Sequence, residues 1–165
     1  MRDTSLKKVK VLATGHTFNL LSDVGAPSGT FLSLSLLQDV EVLGKEVKIG
    51  AGVNYSKLIE VLAKRGKAIE NVPSLPHVNV VGSLVTGTHG SGYEKPMIAQ
   101  YVTQIEMVLA NGDVRLFNRS EMPDSHFFLH LLNFGTLGII TSITLQIKDE
   151  FKILKRIYEN LSWDQ

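Results

Sequence analysis

The sequence predicts an α+β domain of two packed layers. Short apolar or alternating runs lie on either side of one amphipathic helical stretch in the first half of the chain. An Asn-Gly pair separates two strand-like runs in the second half, and there are no internal repeats or low-complexity stretches. At 165 residues the chain is long enough for one core, shared by at most two small subdomains.

Residues 10–14 read as a first strand, 31–36 as a second and 46–49 as a third, with Gly44 as the turn ahead of the third. Asn54 or Ser56 caps a helix whose Leu58, Val61 and Leu62 fall on one face, and Gly66 ends it. Residues 68–72 then lead into a stretch of small and hydroxylated residues. Beyond it, 102–110 and 114–117 flank Asn111-Gly112, the strongest short hairpin signal. Phe127, Phe128, Leu131 and Leu132 predict a short buried helix before Gly135, and 139–147 a further strand.

Composition removes several functions. The net charge is +1 with both signs scattered, which leaves no basic footprint for nucleic acid. No apolar run reaches 18 residues, so no membrane span is expected. Residues 1–8 carry positive charge without an apolar core, so no secretory leader is expected and the cytoplasm is the expected setting. Without cysteine there is no disulfide scaffold, thiol catalysis or zinc–thiolate site. His126 and His130 have i, i+4 spacing but no neighbouring carboxylate on that face, and no metal is expected.

The chemistry concentrates in residues 74–92, Ser-Leu-Pro-His-Val-Asn-Val-Val-Gly-Ser-Leu-Val-Thr-Gly-Thr-His-Gly-Ser-Gly. Gly87, Gly90 and Gly92 let the backbone approach a ligand closely. Successive N–H groups in such a loop make an anion-binding concavity suited to a pyrophosphate. Thr86, Thr88 and Ser91 add hydroxyl donors. No lysine follows as in a Walker A loop, and the glycine spacing and Pro96 do not fit a Rossmann fingerprint. A second histidine-centred run, Ala13-Thr14-Gly15-His16-Thr17-Phe18-Asn19, lies upstream.

These two runs resemble the flavin-binding domain of the vanillyl-alcohol-oxidase (PCMH-type) flavoprotein family, and within it the alditol, xylitol and sugar-lactone oxidases. In that family the first loop reads G-[ST]-x-H-[ST] and carries a histidine bonded covalently to FAD; here Ala13 stands where glycine is usual. The second run wraps the pyrophosphate and faces the isoalloxazine. Gly135-Thr136-Leu137-Gly138-Ile139-Ile140-Thr141 resembles the turn leading into a strand beside the adenine half.

The resemblance implies a small N-terminal α/β subdomain and a larger mixed-sheet subdomain with FAD between them. Residues 1–150 would be this FAD-binding domain without the strand and helix that open it in relatives, and 151–165 the first strand of a truncated substrate domain. It implies cofactor contacts from Ala13, Thr14, Gly15, His16, Thr17, Ser74, Asn79, Gly82, Thr86, Gly87, Thr88, His89, Gly90, Gly138 and Ile140. His16 would be the covalent site and Ser74 would also meet the substrate, while His77 shapes a turn. The implied activity is oxidation of CH–OH groups of alditols or related sugars with oxygen as acceptor, a dehydrogenase being equally compatible with these residues. The catalytic groups are expected in the absent substrate domain, so the chain alone should be silent. The alternative is an FAD-binding module with no activity of its own. An uncovered apolar sheet face predicts self-association.

Overall fold

The computed structural model describes residues 8–17, 19, 20, 23, 24 and 29–163. β1 (Lys8–Leu12) and β2 (Gly29–Ser33) form a parallel pair in which Lys10 lies opposite Phe31. β3 (Val40–Leu43) and β4 (Glu46–Gly50) form a hairpin whose turn uses Gly44 at φ +66°. α1 (Tyr55–Ala63) follows, capped by Asn54, whose side chain accepts the Lys57 N–H at 2.9 Å. Tyr55, Leu58 and Leu62 are its buried stripe, and Gly66 at φ +63° turns the chain out of it. β5 (Lys67–Ala68) is a two-residue strand.

α2 (Val80–Leu84) is a short helix inside the glycine-rich run, where the sequence predicted loop. After a 3-10 turn at Ile98–Tyr101, β6 (Val102–Leu109) and β7 (Val114–Asn118) form the expected hairpin, with Gly112 at φ +85°. α3 (Asp124–Leu131) buries Phe127 and Leu131. β8 (Gly138–Gln146) and the short β9 (Lys148–Asp149) complete the order, β9 pairing with β5.

The larger sheet runs β3-β4-β8-β6-β7. Every pairing in it is antiparallel, so this sheet is not mixed as expected; the parallel pairing of the described residues is confined to β1–β2. Two hairpins supply its edges, and β8 returns antiparallel to both β4 and β6 to fill the centre. Val47, Ile49, Ile105, Met107, Ile143 and Leu145 from this sheet join Leu58, Leu62, Leu84, Phe127 and Leu131 from the helices in one buried apolar cluster. That cluster fixes α2 and the start of β8 as rigid walls for the site.

Residues 151–163 form neither the expected strand nor a helix, and Ile153, Leu154, Ile157, Tyr158 and Trp163 stand exposed. A strand there needs a neighbour to complete its ladder, and no described residue pairs with it. No helix among the described residues is long and apolar enough to cross a membrane.

Candidate cofactor site

The first wall grows out of β1. Past Leu12 the chain turns through residues 13–17 with Gly15 at φ +76°, and a Cβ built there would meet open space. The glycine serves the backbone angle, which a side chain would strain. Thr14 anchors this loop, its hydroxyl oxygen accepting the Asn79 N–H at 2.7 Å.

Asn79 joins three parts of the molecule. Its Oδ1 accepts the Gly82 N–H at 2.7 Å as the N-cap of α2, and its Nδ2 donates to the carbonyls of Ala51 (2.7 Å) and Val53 (3.2 Å). A Cβ on Gly82 would lie 3.3 Å from the Ala13 Cβ and 3.3 Å from Asn79 Oδ1, so the helix and the loop meet where only a hydrogen fits comfortably. Beneath α2, the Tyr55 hydroxyl lies 2.8 Å from Ser83 Oγ, which donates to the Val80 carbonyl. Burial pushes the Tyr55 phenol up to about 12, against a smaller opposing pull from the Ser83 bond.

A third wall is the turn into β8. Buried Asn133 donates to the His130 carbonyl at 2.5 Å and accepts from the Gly135 and Thr136 N–H groups at 2.6 and 3.1 Å. It holds Phe134 and Gly135 both left-handed, at φ 53° and 72°, an uncommon angle for a bulky aromatic residue. Gly138 opens β8 over the Val108 carbonyl, which a Cβ would approach to 2.6 Å.

Together these elements line a cleft of about 620 Å³. Of the candidate residues, Ala13, Thr14, Gly15, His16, Thr17, Ser74, Asn79, Gly82, Thr86, Thr88, His89, Gly138 and Ile140 all line it. Gly87 and Gly90 do not. Gly87, at φ +73°, ends α2 with its N–H on the Leu84 carbonyl at 3.0 Å, and Gly90 lies where a Cβ would come within 2.0 Å of Asn71 Oδ1. Ser91 is also outside the lining. The Thr86 hydroxyl donates to the Ser83 carbonyl at 3.0 Å, so it is not the free donor the sequence suggested. The hydroxyls of Thr17, Ser74 and Thr88 make no hydrogen bond within the described residues, and Thr14 keeps its O–H to give.

Among the described residues the lining contains no Asp or Glu, and its one Lys or Arg is Lys10 on β1. Neutral donors, glycine-shaped backbone and a single ammonium fit an anionic diphosphate. They do not fit a cation or metal, and no group of three metal-ligating side chains exists among the described residues. His130 is turned to other work, with Nδ1 donating to the His126 carbonyl at 2.7 Å and its ring stacked on Phe117. His89 Nδ1 donates to the Gly90 carbonyl at 2.8 Å. His16 Nε2 lies 2.7 Å from His77 Nε2, a contact between residues 61 positions apart.

Sequence reasoning missed the contribution of β1 (Val9, Lys10, Val11 and Leu12), the apolar wall of Leu75, Val78, Val81 and Val85, and Asn133-Phe134. The last pair sits immediately before the glycine turn already singled out, so its signal was present. The β1 residues carry none: an ordinary strand becomes a wall only through the packing that places it there.

Known proteins share both the pattern and the fold. An alditol oxidase from a Streptomyces strain is 36% identical over 153 residues, covering 90% of this chain and 36% of that protein. The L-gulonolactone oxidase of Mus musculus is 30% identical over 90% of this chain and 34% of its own length. A 6-hydroxy-D-nicotine oxidase from Arthrobacter nicotinovorans superposes with a TM-score of 0.73 at 23% identity, over 86% of this chain and 31% of that one. The chain therefore spans about a third of the length of these relatives. A model of the FAD binding domain family matches residues 1–118, and this chain, with the fold of the PCMH-type flavoenzymes, belongs to that family.

Proposed function

We propose that the cleft holds FAD and that the chain is the cofactor-binding part of an oxidoreductase. The whole protein would oxidise a CH–OH group of an alditol or related sugar with oxygen as acceptor. The observation that carries this reading is the lining: among the described residues it offers hydroxyls, amides, glycine-shaped turns and one lysine, with no carboxylate to repel a diphosphate. The names of the alditol oxidase and the lactone oxidases among the relatives support the substrate class.

In this reading Thr14, Gly15, Thr17, Asn79, Gly82 and Thr88 surround the phosphates, and Ala13, Thr86 and His89 complete that wall. Gly87 and Gly90 act by shaping the loop, and Gly138 and Ile140 meet the adenine half. His16 is the attachment point and Ser74 also faces the substrate. Bound flavin supplies the hydride acceptor, while the chain holds and orients it and keeps acids away from it. Incubating the purified chain and its longer native protein with FAD or FMN, then measuring bound flavin and the mass of the denatured polypeptide, tests this. Retention of FMN in preference to FAD would overturn the cofactor assignment. Flavin still bonded to a His16→Ala chain would overturn the attachment point.

A second reading, an FAD-binding module silent by itself, is favoured by the same lining, whose described residues offer no carboxylate to take a proton from a substrate hydroxyl. Its division of labour puts FAD binding in residues 1–150 and opens a substrate domain at 151–165. Peroxide release with xylitol, chain against longer protein at equal flavin content, separates the two. A cytoplasmic setting and self-association through the exposed apolar residues belong to the same proposal; fractionation and light scattering check them.

A further inference from the structure

We propose that His77 is a positioning residue for His16. It accepts a hydrogen bond from His16 Nε2–H and so leaves the ring's lone pair on Nδ1. The inference rests on the reading of His16 as the attachment point, because only there does the choice of free nitrogen have a chemical consequence.

The two rings meet Nε2 to Nε2 at 2.7 Å, with centroids 4.9 Å apart and planes inclined by 45°. A neutral imidazole has one N–H and one lone pair, so a ring-to-ring bond requires one of these nitrogens to donate and the other to accept. His16 lines the cleft and His77 does not. With Nε2 committed to His77, Nδ1 is the nitrogen of this cleft-lining ring left for a ligand. Both rings are exposed; His77 giving its own Nδ1–H to water leaves its Nε2 as the acceptor that this assignment requires.

The supports of the two rings differ in the direction this role requires. His77 lies between two clamped carbonyls. Pro76 O accepts both the backbone N–H (2.7 Å) and the hydroxyl (2.9 Å) of Ser56, and Val78 O accepts the Tyr55 N–H at 3.1 Å. The first turn of α1, buried through Tyr55, thus fixes the backbone on both sides of His77. His16 rides on a loop tied to α2 through Thr14, two residues away. A ring on the framework holds a ring on a loop, as outer-shell partners hold a ligating histidine.

The test is the tautomer of His16, read from long-range ¹H–¹⁵N correlations of the imidazoles in the purified 165-residue chain at a pH where the rings are neutral. The expected result is Nε2 protonated and Nδ1 bare, with a preference of roughly tenfold, the bias that one net hydrogen bond supplies. His77→Phe keeps the ring and loses the acceptor, so the preference should fall severalfold; His77→Gln, whose amide oxygen can accept, should restore most of it. A wild-type His16 protonated on Nδ1 overturns the proposal. So does a preference unchanged in His77→Phe. In FAD-treated protein, mass spectrometry scores the reading beneath it: an adduct absent from His16, with the tautomer as expected, removes the attachment role and leaves the ring pairing standing.

Discussion

Replacing Asn79 with alanine removes three side-chain hydrogen bonds, to Gly82 N–H and to the Ala51 and Val53 carbonyls, and leaves the backbone bond to Thr14 in place. The three losses are unequal. Loss of the α2 cap costs about 1 kcal/mol. The Ala51 carbonyl, in a residue only 4% exposed, loses its amide donor, and an orphaned buried acceptor costs about 1–3 kcal/mol. The Val53 carbonyl keeps the Val80 N–H at 3.0 Å and adds little. The total is about 2–4 kcal/mol, roughly a 5–15 °C drop in Tm for a chain of this size. Asn79→Asp separates the parts, since it keeps the cap acceptor, loses the amide donor and sets a carboxylate against two carbonyls. Urea denaturation followed by circular dichroism, with an unchanged m-value, gives both costs. A loss below about 0.5 kcal/mol in Asn79→Ala, or an Asp variant as stable as wild type, would refute the account of Asn79 as the joint between loop, helix and sheet.

Three more outcomes follow from single contacts. Tyr55→Phe removes the O–H bonded to Ser83 and should cost about 1 kcal/mol, while Ser83 keeps its bond to the Val80 carbonyl. Because burial raises the folded phenol to about 12, that group's stability is full below its ordinary value of 10.0 and lost as pH rises through 12; wild-type chain should lose more than Tyr55→Phe over that window in alkaline melts. Glu70 bonds Lys148 at 2.7 Å and also Lys95, and these hydrogen bonds hold its carboxyl below the usual range. Its contribution is therefore present above the unfolded carboxyl's value and lost as pH falls through the depressed one, and Glu70→Gln should flatten the acid limb of the Tm–pH curve. Gly138→Ala forces a Cβ against the Val108 carbonyl between β8 and β6, and should destabilise the flavin-free chain by about 1–3 kcal/mol in the same urea assay.

Elements with a strong local signal were legible. Asn54 with Leu58 and Leu62 spelled out α1, and Asn111-Gly112 between apolar runs spelled out the β6–β7 hairpin. The four residues of β3 gave a weak signal beside β4, and an edge strand becomes definite only once its partner is in place. α2 has five residues with a glycine in the middle, too short to show a 3.6-residue period, and Asn79 as a cap was its one local mark. The insertion of β8 between β4 and β6 joins Glu46 to Gln146, and no local pattern announces a pairing at that separation.

For the site, the histidine and glycine runs marked most of one cleft, but they did not say what each glycine was for. Gly15 and Gly87 occupy left-handed angles, so they meet a backbone requirement, and only Gly15 borders the cleft. Gly82 and Gly138 border it as well, yet the atoms that a Cβ would meet belong to the protein: Ala13 and Asn79 in one case, Val108 and Met107 in the other. Gly90 is kept bare by Asn71. A glycine conserving close approach to a ligand and one conserving close approach of the chain to itself look identical in a motif. They separate by experiment, since alanine at Gly82 or Gly138 disturbs the protein's own packing before any cofactor is added. The hydroxyls of Thr17, Ser74 and Thr88, unbonded among the described residues, behave oppositely: removing any one leaves the bonding of those residues intact, so the loss should be confined to what the cleft binds.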